Sequence, residues 1–319
     1  AYTPPLQTET TDMGNEILLE SGTNEVEILE FFLGDQSFGI NIAKIAQILP
    51  FDRTKLTVIP HSNPAFMGAL LWQGRTIPLI DLKIFLHQPP YDIEQPIVLV
   101  TEFNGVKNSF LTDGVNRIHR VGWGAISPMG PLLDRYSSAC TGSIHILDQD
   151  ILLIDFEFII ASINPETSIS AKHIDQRVDA GRSDKMIIFV EDSAFIRNTI
   201  SSQLKKCGFD QVDVFENGLD ACNHIHALAK KSQKEGLDIR SALSLVVTDI
   251  EMPKMDGLAL CRVIKKELQL ETVPVILFSS LINEQMAYKC REVGADAFLT
   301  KPRVDELVVL MDRLLGYNI

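Results

Sequence analysis

Between residues 185 and 301, four short apolar runs each break off at a charged or hydroxyl side chain, and that repetition constrains the fold of this chain most. Lys185 to Val190 leads into Glu191 and Asp192, Leu243 to Thr248 into Asp249, Val273 to Phe278 into Ser279 and Ser280, and Ala297 to Thr300 into Lys301. Such short runs, rich in β-branched and aliphatic residues and separated by helical-period stretches, read as buried parallel strands. A parallel sheet collects all four ends on one rim, the edge at which open α/β sheets bind ligands.

The residue types on that rim suit one task. Three carboxylates, Glu191, Asp192 and Asp249, repel unless a cation joins them, and hard oxygens without His or Cys suit Mg²⁺. Asp249 is then placed to act as a nucleophile toward a phosphoryl group, giving an acyl phosphate. Lys301 would offset charge on the transferring oxygens, and Ser279 would donate a hydrogen bond to the phosphoryl product.

The acidic pair Glu191 and Asp192, the acceptor Asp249, then Ser279 and Lys301-Pro302 follow the order of the response-regulator receiver family. Met252-Pro253, Asp256-Gly257 and the run Gly294 to Phe298 fall in matching places. The segment 185–319 therefore resembles a receiver domain. The resemblance implies a doubly wound, flavodoxin-like (βα)5 fold, the Glu251 backbone carbonyl as a further Mg²⁺ ligand, and Ser279 with Phe298 as the switch residues.

The first half reads as all-β. Val26 to Leu33 partly alternates, Gly34 to Ser37 turns, and Phe38 to Ile42 alternates again, which predicts a hairpin. A short helix is expected over 43–48. Further strands are expected over 57–59, 68–72, 75–80, 95–103, 106–112, 115–121, 140–147 and 151–155, with turns at Gln73-Gly74 and Asn104-Gly105. Short, evenly punctuated strands with few long helices predict small barrels or a sandwich. His61, His87, His119 and His145 are dispersed and read as structural or surface residues, and no catalytic constellation is visible there.

The segments Phe38 to Ile42, Ile45 to Ile48, Ile59-Pro60, Asn63 to Gly68, Gln73 to Leu82, Asp113 to Val115, Thr141 to Ser143 and Leu153 to Asp155 together resemble a CheW-like domain over 27–160. That family folds as two packed five-stranded β-barrels and couples chemoreceptors, the methyl-accepting chemotaxis proteins, to the histidine kinase CheA. The resemblance places partner contacts at Ile45, Gln47 and Gln73. Where the chain has Gln47 and Gln73 the family usually has Glu and Arg. Two amides can still hydrogen-bond, at about half the strength of a charge-assisted pair. Altered partner preference is the expectation.

Charge and compartment narrow the function. The net charge is −13, and residues 1–160 carry 19 acidic against 9 basic groups, which argues against nucleic acid as a partner. The five cysteines are scattered without a CxxC pair. No basic segment leads into an apolar core at the start, and the run Ile151 to Ile163 is broken by Asp155 and Glu157, so neither secretion nor direct membrane insertion is expected. The reading is cytoplasmic, at the receptor array through partners. Residues 1–26 are expected to form a flexible tail, 161–184 a linker with a helical segment over 169–178, and 230–241 a solvated excursion.

A CheW-like domain followed by a receiver, with no output domain expected after Ile319, resembles the CheV-type coupling proteins. The resemblance implies a non-enzymatic scaffold that takes a phosphoryl group from CheA onto Asp249, with CheW as a further candidate partner. The alternative is a phosphate sink that drains CheA while the first half only localises it. An independent phosphohydrolase is disfavoured, because Glu251 stands where such enzymes place a general-acid Asp.

Overall fold

The structure is a computed structural model and describes residues 25–317 apart from 61, 90–93, 104–105, 130–138, 147, 164–180, 281, 283 and 302. The expected tail through residue 24, the helical segment at 169–178 and the Asn104-Gly105 turn lie outside the described residues.

Alternating strands build the first half as two sheets. One contains β1 (Glu25–Leu33), β2 (Gln36–Asn41), β9 (Gly114–Gly122), β10 (Ser127–Pro128), β11 (Cys140–Ile146) and β12 (Gln149–Ile154), in the order β10-β11-β12-β2-β1-β9. The other contains β3 (Ile45–Pro50), β4 (Leu56–Thr57), β5 (Phe66–Trp72), β6 (Arg75–Asp81), β7 (Ile97–Phe103) and β8 (Val106–Thr112), in the order β3-β7-β8-β6-β5-β4. Each sheet has five strands of six residues or more plus a two-residue edge piece, in keeping with the paired five-stranded barrels expected. Inward residues of both sheets, Leu29, Phe31, Leu33, Ile80, Leu99 and Phe110 among them, share one core. The expected hairpin is present as β1 and β2, in register from Ile28 with Asn41 to Leu33 with Gln36.

Two expectations for this half fail. The helix over 43–48 is a 3₁₀ turn, Ile42–Lys44, followed at once by β3, whose backbone pairs antiparallel with β7. Sheet pairing overrides a weak local helical preference there. Conversely, α1 (Leu82–Phe85) and, among the described residues, a longer helix α2 (Phe156–Ile163) form where the expectation has no helix. Asp155 starts α2, its Oδ1 accepting from the Phe158 N–H at 2.9 Å, and Phe156 and Ile159 bury against the shared core.

The second half alternates strand and helix: β13 (Met186–Val190), α3 (Ala194–Lys206), β14 (Gln211–Phe215), α4 (Gly218–Glu235), β15 (Leu245–Thr248), α5 (Gly257–Arg262), β16 (Val275–Ser279), α6 (Glu284–Glu292), β17 (Ala297–Thr300) and α7 (Val304–Leu315). The strands are all parallel in the order β14-β13-β15-β16-β17. Consecutive connections therefore change direction between β13 and β15, the topological switch point of a doubly wound sheet. The solvated excursion expected at 230–241 is mostly helix. α4 runs on to Glu235, where Gly236 takes a left-handed conformation (φ +65°) and ends it.

A buried ion pair fixes the entry to this half onto its last helix. Arg182 Nε donates to Asp312 Oδ1 at 2.9 Å, Nη1 donates to the Cys207 carbonyl at 2.7 Å, and Nη2 contacts Asp312 Oδ2. Both side chains are buried, so Arg182→Met leaves an unpaired carboxylate in the interior and is expected to destabilise the second half by about 3 kcal/mol. Urea unfolding read by circular dichroism checks this, and a variant as stable as wild type would contradict it.

Candidate functional site

The strand ends meet as the sequence implies. Lys301, one residue beyond β17, lies with Nζ 2.6 Å from Glu191 Oε2 and 3.0 Å from Asp249 Oδ2. Asp249 is held from both sides by its backbone, donating N–H to the Val190 carbonyl at 2.9 Å and accepting from the Ile250 N–H on Oδ1 at 2.6 Å. Ser193 caps α3, and its N–H donates to Asp192 Oδ1 at 2.9 Å, tying the acidic pair to the helix start. Ser279 ends β16 and is fully buried beside Thr300 of β17. Phe298 is half-buried two residues before Thr300, with the Arg291 guanidinium 5.3 Å over its ring. Pro302 lies outside the described residues.

The carboxylates have the makings of a cation site. One oxygen each of Glu191, Asp192 and Asp249 lies within 4.8 Å of the others. Burial, with Asp249 and Asp192 adding to it against the pull of Lys301, raises the Glu191 carboxyl well above its usual range. Burial and then Asp249 push Asp192 up to about 7. Burial opposes charge on Lys301, but Asp249 and Glu191 outweigh it and hold the ammonium charged. Fully ionised, this all-oxygen set would carry more negative charge than one ammonium neutralises, so its chemistry fits a hard divalent ion.

The pocket is completed from the other half of the chain, which nothing in the sequence reading singled out. Lys44 Nζ lies 3.3 Å from Glu251 Oε2 and 3.6 Å from Glu157 Oε1, and Asn41 Nδ2 contacts Glu251 Oε1. Ser280 Oγ donates to Glu157 Oε1 at 2.6 Å, and Ser193 Oγ donates to Asp155 Oδ2 at 2.6 Å. The Lys254 N–H donates to the Trp123 carbonyl at 3.0 Å, and the Phe158 and Phe195 rings meet edge to face at 5.7 Å. Burial acts against Lys44 and Glu157 ionising, but their mutual attraction and that of the neighbouring acids and Lys301 prevail: Lys44 is raised and Glu157 lowered. Glu251, expected to contribute its backbone carbonyl, has its side chain committed across the boundary, which leaves that carbonyl's role untouched.

None of the three partner-contact candidates lines this pocket, although Ile45 directly follows Lys44, which does. Ile45 begins β3, and Gln47 is exposed on the same strand. Gln73 is exposed at the β5–β6 turn with φ +45°. The Gln47 oxygen accepts from the Trp72 indole N–H at 2.6 Å, so its amide is held by the neighbour of Gln73. Ile48 and Leu71 stand exposed beside them. His119 and His145 have the satisfied roles expected, paired with Glu30 at 2.7 Å and Asp150 at 2.9 Å.

A pH effect follows from Asp192. With a carboxyl that ionises near 7 when folded and near 4 when unfolded, the folded chain binds more protons between those values, and stability falls as pH rises through them. The metal-free chain is expected to melt lower at about pH 8 than at about pH 6, and Mg²⁺ is expected to raise the midpoint more at the higher pH. Calorimetry with EDTA or excess Mg²⁺ checks this against Asp192→Asn, which should flatten the slope. A wild-type midpoint that climbs with pH in EDTA would contradict it.

Comparison with known proteins follows the same division. Residues 27–164 match the CheW-like domain family and residues 187–312 the response regulator receiver domain family. The chemotaxis protein CheV3 of Helicobacter pylori is 29% identical over 309 residues, spanning 92% of this chain and 96% of that protein. CheV2 of the same organism is 25% identical over 314 residues, spanning 92% of this chain and 96% of that protein. The solved scaffolding protein TtCheW of Thermoanaerobacter tengcongensis is 21% identical, covers 41% of this chain and 84% of its own, and has a TM-score of 0.39. Among the described residues no helix is long and apolar enough to cross a membrane.

Proposed function

The chain belongs to the CheV-type family, in which a CheW-like domain precedes a receiver, and from that premise we propose that it couples chemoreceptors to the histidine kinase CheA under control of a phosphoryl group on Asp249. The observation that carries this reading is the ion contact of Lys301 with both Glu191 and Asp249 at the C-terminal edge of the parallel sheet. In the proposed transfer, an Asp249 carboxylate oxygen attacks the phosphorus of a CheA phosphohistidine, the P–N bond breaks, and the imidazole leaves with its electron pair. Lys301 stays beside the acceptor and offsets negative charge on the transferring oxygens, and Ser279 supplies its hydroxyl from the end of β16. Mg²⁺, held by Glu191, Asp192, Asp249 and the Glu251 carbonyl, would neutralise phosphoryl charge when bound. Ser279 and Phe298 then repack, and the change is read by the CheW-like half.

On this reading the protein is a scaffold whose receiver acts only on its own aspartate. It works in the cytoplasm at the receptor array, with receptor and kinase contacts through Ile45, Gln47, Gln73 and the apolar residues beside them. Mixing the chain with ³²P-labelled CheA and Mg²⁺ tests the first step. Label should move to the chain as an acid-stable, base-labile acyl phosphate and should be lost when EDTA is added beforehand. Label that stays on CheA in the presence of Mg²⁺ would overturn the proposal.

A further inference from the structure

The acceptor of the proposed phosphorylation is not open to a protein donor as the chain stands. Asp249 is 5% exposed and Lys301 2%, although both lie on the rim of the sheet. Facing them across the boundary is the CheW-like half, through β2, the turn that carries Lys44, Trp123 and the start of α2. Between the halves there remains a cleft of about 80 Å³, bordered by Asp249, Asp192 and Lys301 on one side and by Lys44, Asp155 and Glu157 on the other.

Resting on the phosphorylation reading above, we infer that the CheW-like half is a lid on the acceptor site: the Asn41 and Lys44 contacts to Glu251 hold the resting chain closed, donor access requires the halves to part, and the phosphoryl group keeps them apart. The charge on the lid gives the direction. Its wall of the cleft carries Asp155 and Glu157, and its Lys44 is already engaged by Glu251 and Glu157. A phosphoryl group on Asp249 adds negative charge and volume opposite those two carboxylates, which penalises the closed state by repulsion in a buried setting. The lid also touches the parts of the receiver that surround the acceptor. Asp155 accepts from Ser193 next to the acidic pair, and Glu157 accepts from Ser280 next to Ser279. A shift of either loop is therefore felt directly at the boundary, and parting the halves uncovers the face of the CheW-like domain around β2 and α2.

Asn41→Asp tests the inference in the full-length chain. Aspartate keeps the cap that Asn41 Oδ1 gives the Ala43 N–H at 2.9 Å, and it sets a carboxylate against Glu251 in place of a donor. The Lys254 amide, whose hydrogen bond crosses the boundary to Trp123, reports closure without reference to activity. Hydrogen exchange at Lys254 and the initial rate of label transfer from phosphorylated CheA are both expected to rise about tenfold, the effect of losing one charge-assisted hydrogen bond. Lys44→Glu should act in the same direction. Adding Glu251→Gln to Asn41→Asp restores an amide–carboxylate pair with the roles exchanged and should return both readouts toward wild type. Lys254 exchange or label transfer unchanged by both Asn41→Asp and Lys44→Glu would overturn the lid. Label absent from every variant would instead sink the phosphorylation reading, and the gate with it, whatever Lys254 does.

Discussion

Replacing Asp249 with asparagine is expected to abolish phosphoryl transfer from CheA while leaving the fold intact. Asparagine has nearly the same shape and keeps an oxygen for the Ile250 N–H, which Asp249 Oδ1 accepts at 2.6 Å, so the strand end stays in place. What disappears is the anionic nucleophile that lies 3.0 Å from Lys301 Nζ. The same change removes one of three mutually repelling acids, two of them buried, so the metal-free variant should melt no lower than wild type. Loss of label with a retained melting transition is the expected pair of results. Label that persists at wild-type level would move the acceptor elsewhere. The variant also separates two uses of the phosphoryl group. A scaffold controlled by phosphorylation predicts altered signalling with kinase flux held constant, whereas a sink predicts only altered flux to other regulators.

Gly257→Ala is expected to carry the largest stability effect, and its cause lies at the acceptor. An alanine Cβ there would sit 1.9 Å from the Asp249 carbonyl oxygen, 2.9 Å from its carbon and 3.1 Å from the Ile250 Cα. All three are backbone atoms, so no flexible side chain can yield. The turn itself is fixed, with the Gly257 N–H donating to the Ile250 carbonyl at 2.9 Å and Asp256 Oδ1 capping α5 through the Ala259 N–H at 2.7 Å. Relief must come from shifting backbone, either the acceptor segment or the start of α5. A loss of about 4 kcal/mol, at the upper end for one substitution, is expected together with a fall in label transfer. Urea unfolding and the transfer assay check the two effects, and a variant with wild-type stability would contradict the close packing of this turn.

The parallel sheet and its reactive rim were legible because each strand carries both signals in one stretch: an apolar run sets burial, and the residue that ends it names the chemistry. Hence Glu191, Asp192, Asp249 and Lys301, spread over more than a hundred residues of sequence, were assigned to one place. The paired β-sheets were legible for a similar reason, since alternation and turn residues mark hairpins locally. The errors have local causes too. Ala43 to Ile48 resembles a helix turn by composition, but β7 is available to pair with it. Gly236 reads as loop punctuation in sequence and is a helix C-cap. Asp155 reads as the end of a strand and also starts α2. The lid could not be read at all. Asn41, Lys44, Asp155 and Glu157 acquire their roles only when the two halves meet, and no periodicity or spacing encodes that meeting. Their one local trace is a pair of acids interrupting the apolar run of 151–163, which reads equally well as an obstacle to membrane insertion.

The most direct test is reconstitution of the chain with receptor-bearing membranes and CheA, measuring how much CheA sediments with the receptors before and after Mg²⁺-dependent phosphorylation. The account predicts that phosphorylation changes the retained CheA with the wild-type chain and leaves it unchanged with Asp249→Asn. Equal retention by phosphorylated wild type, unphosphorylated wild type and Asp249→Asn would contradict it.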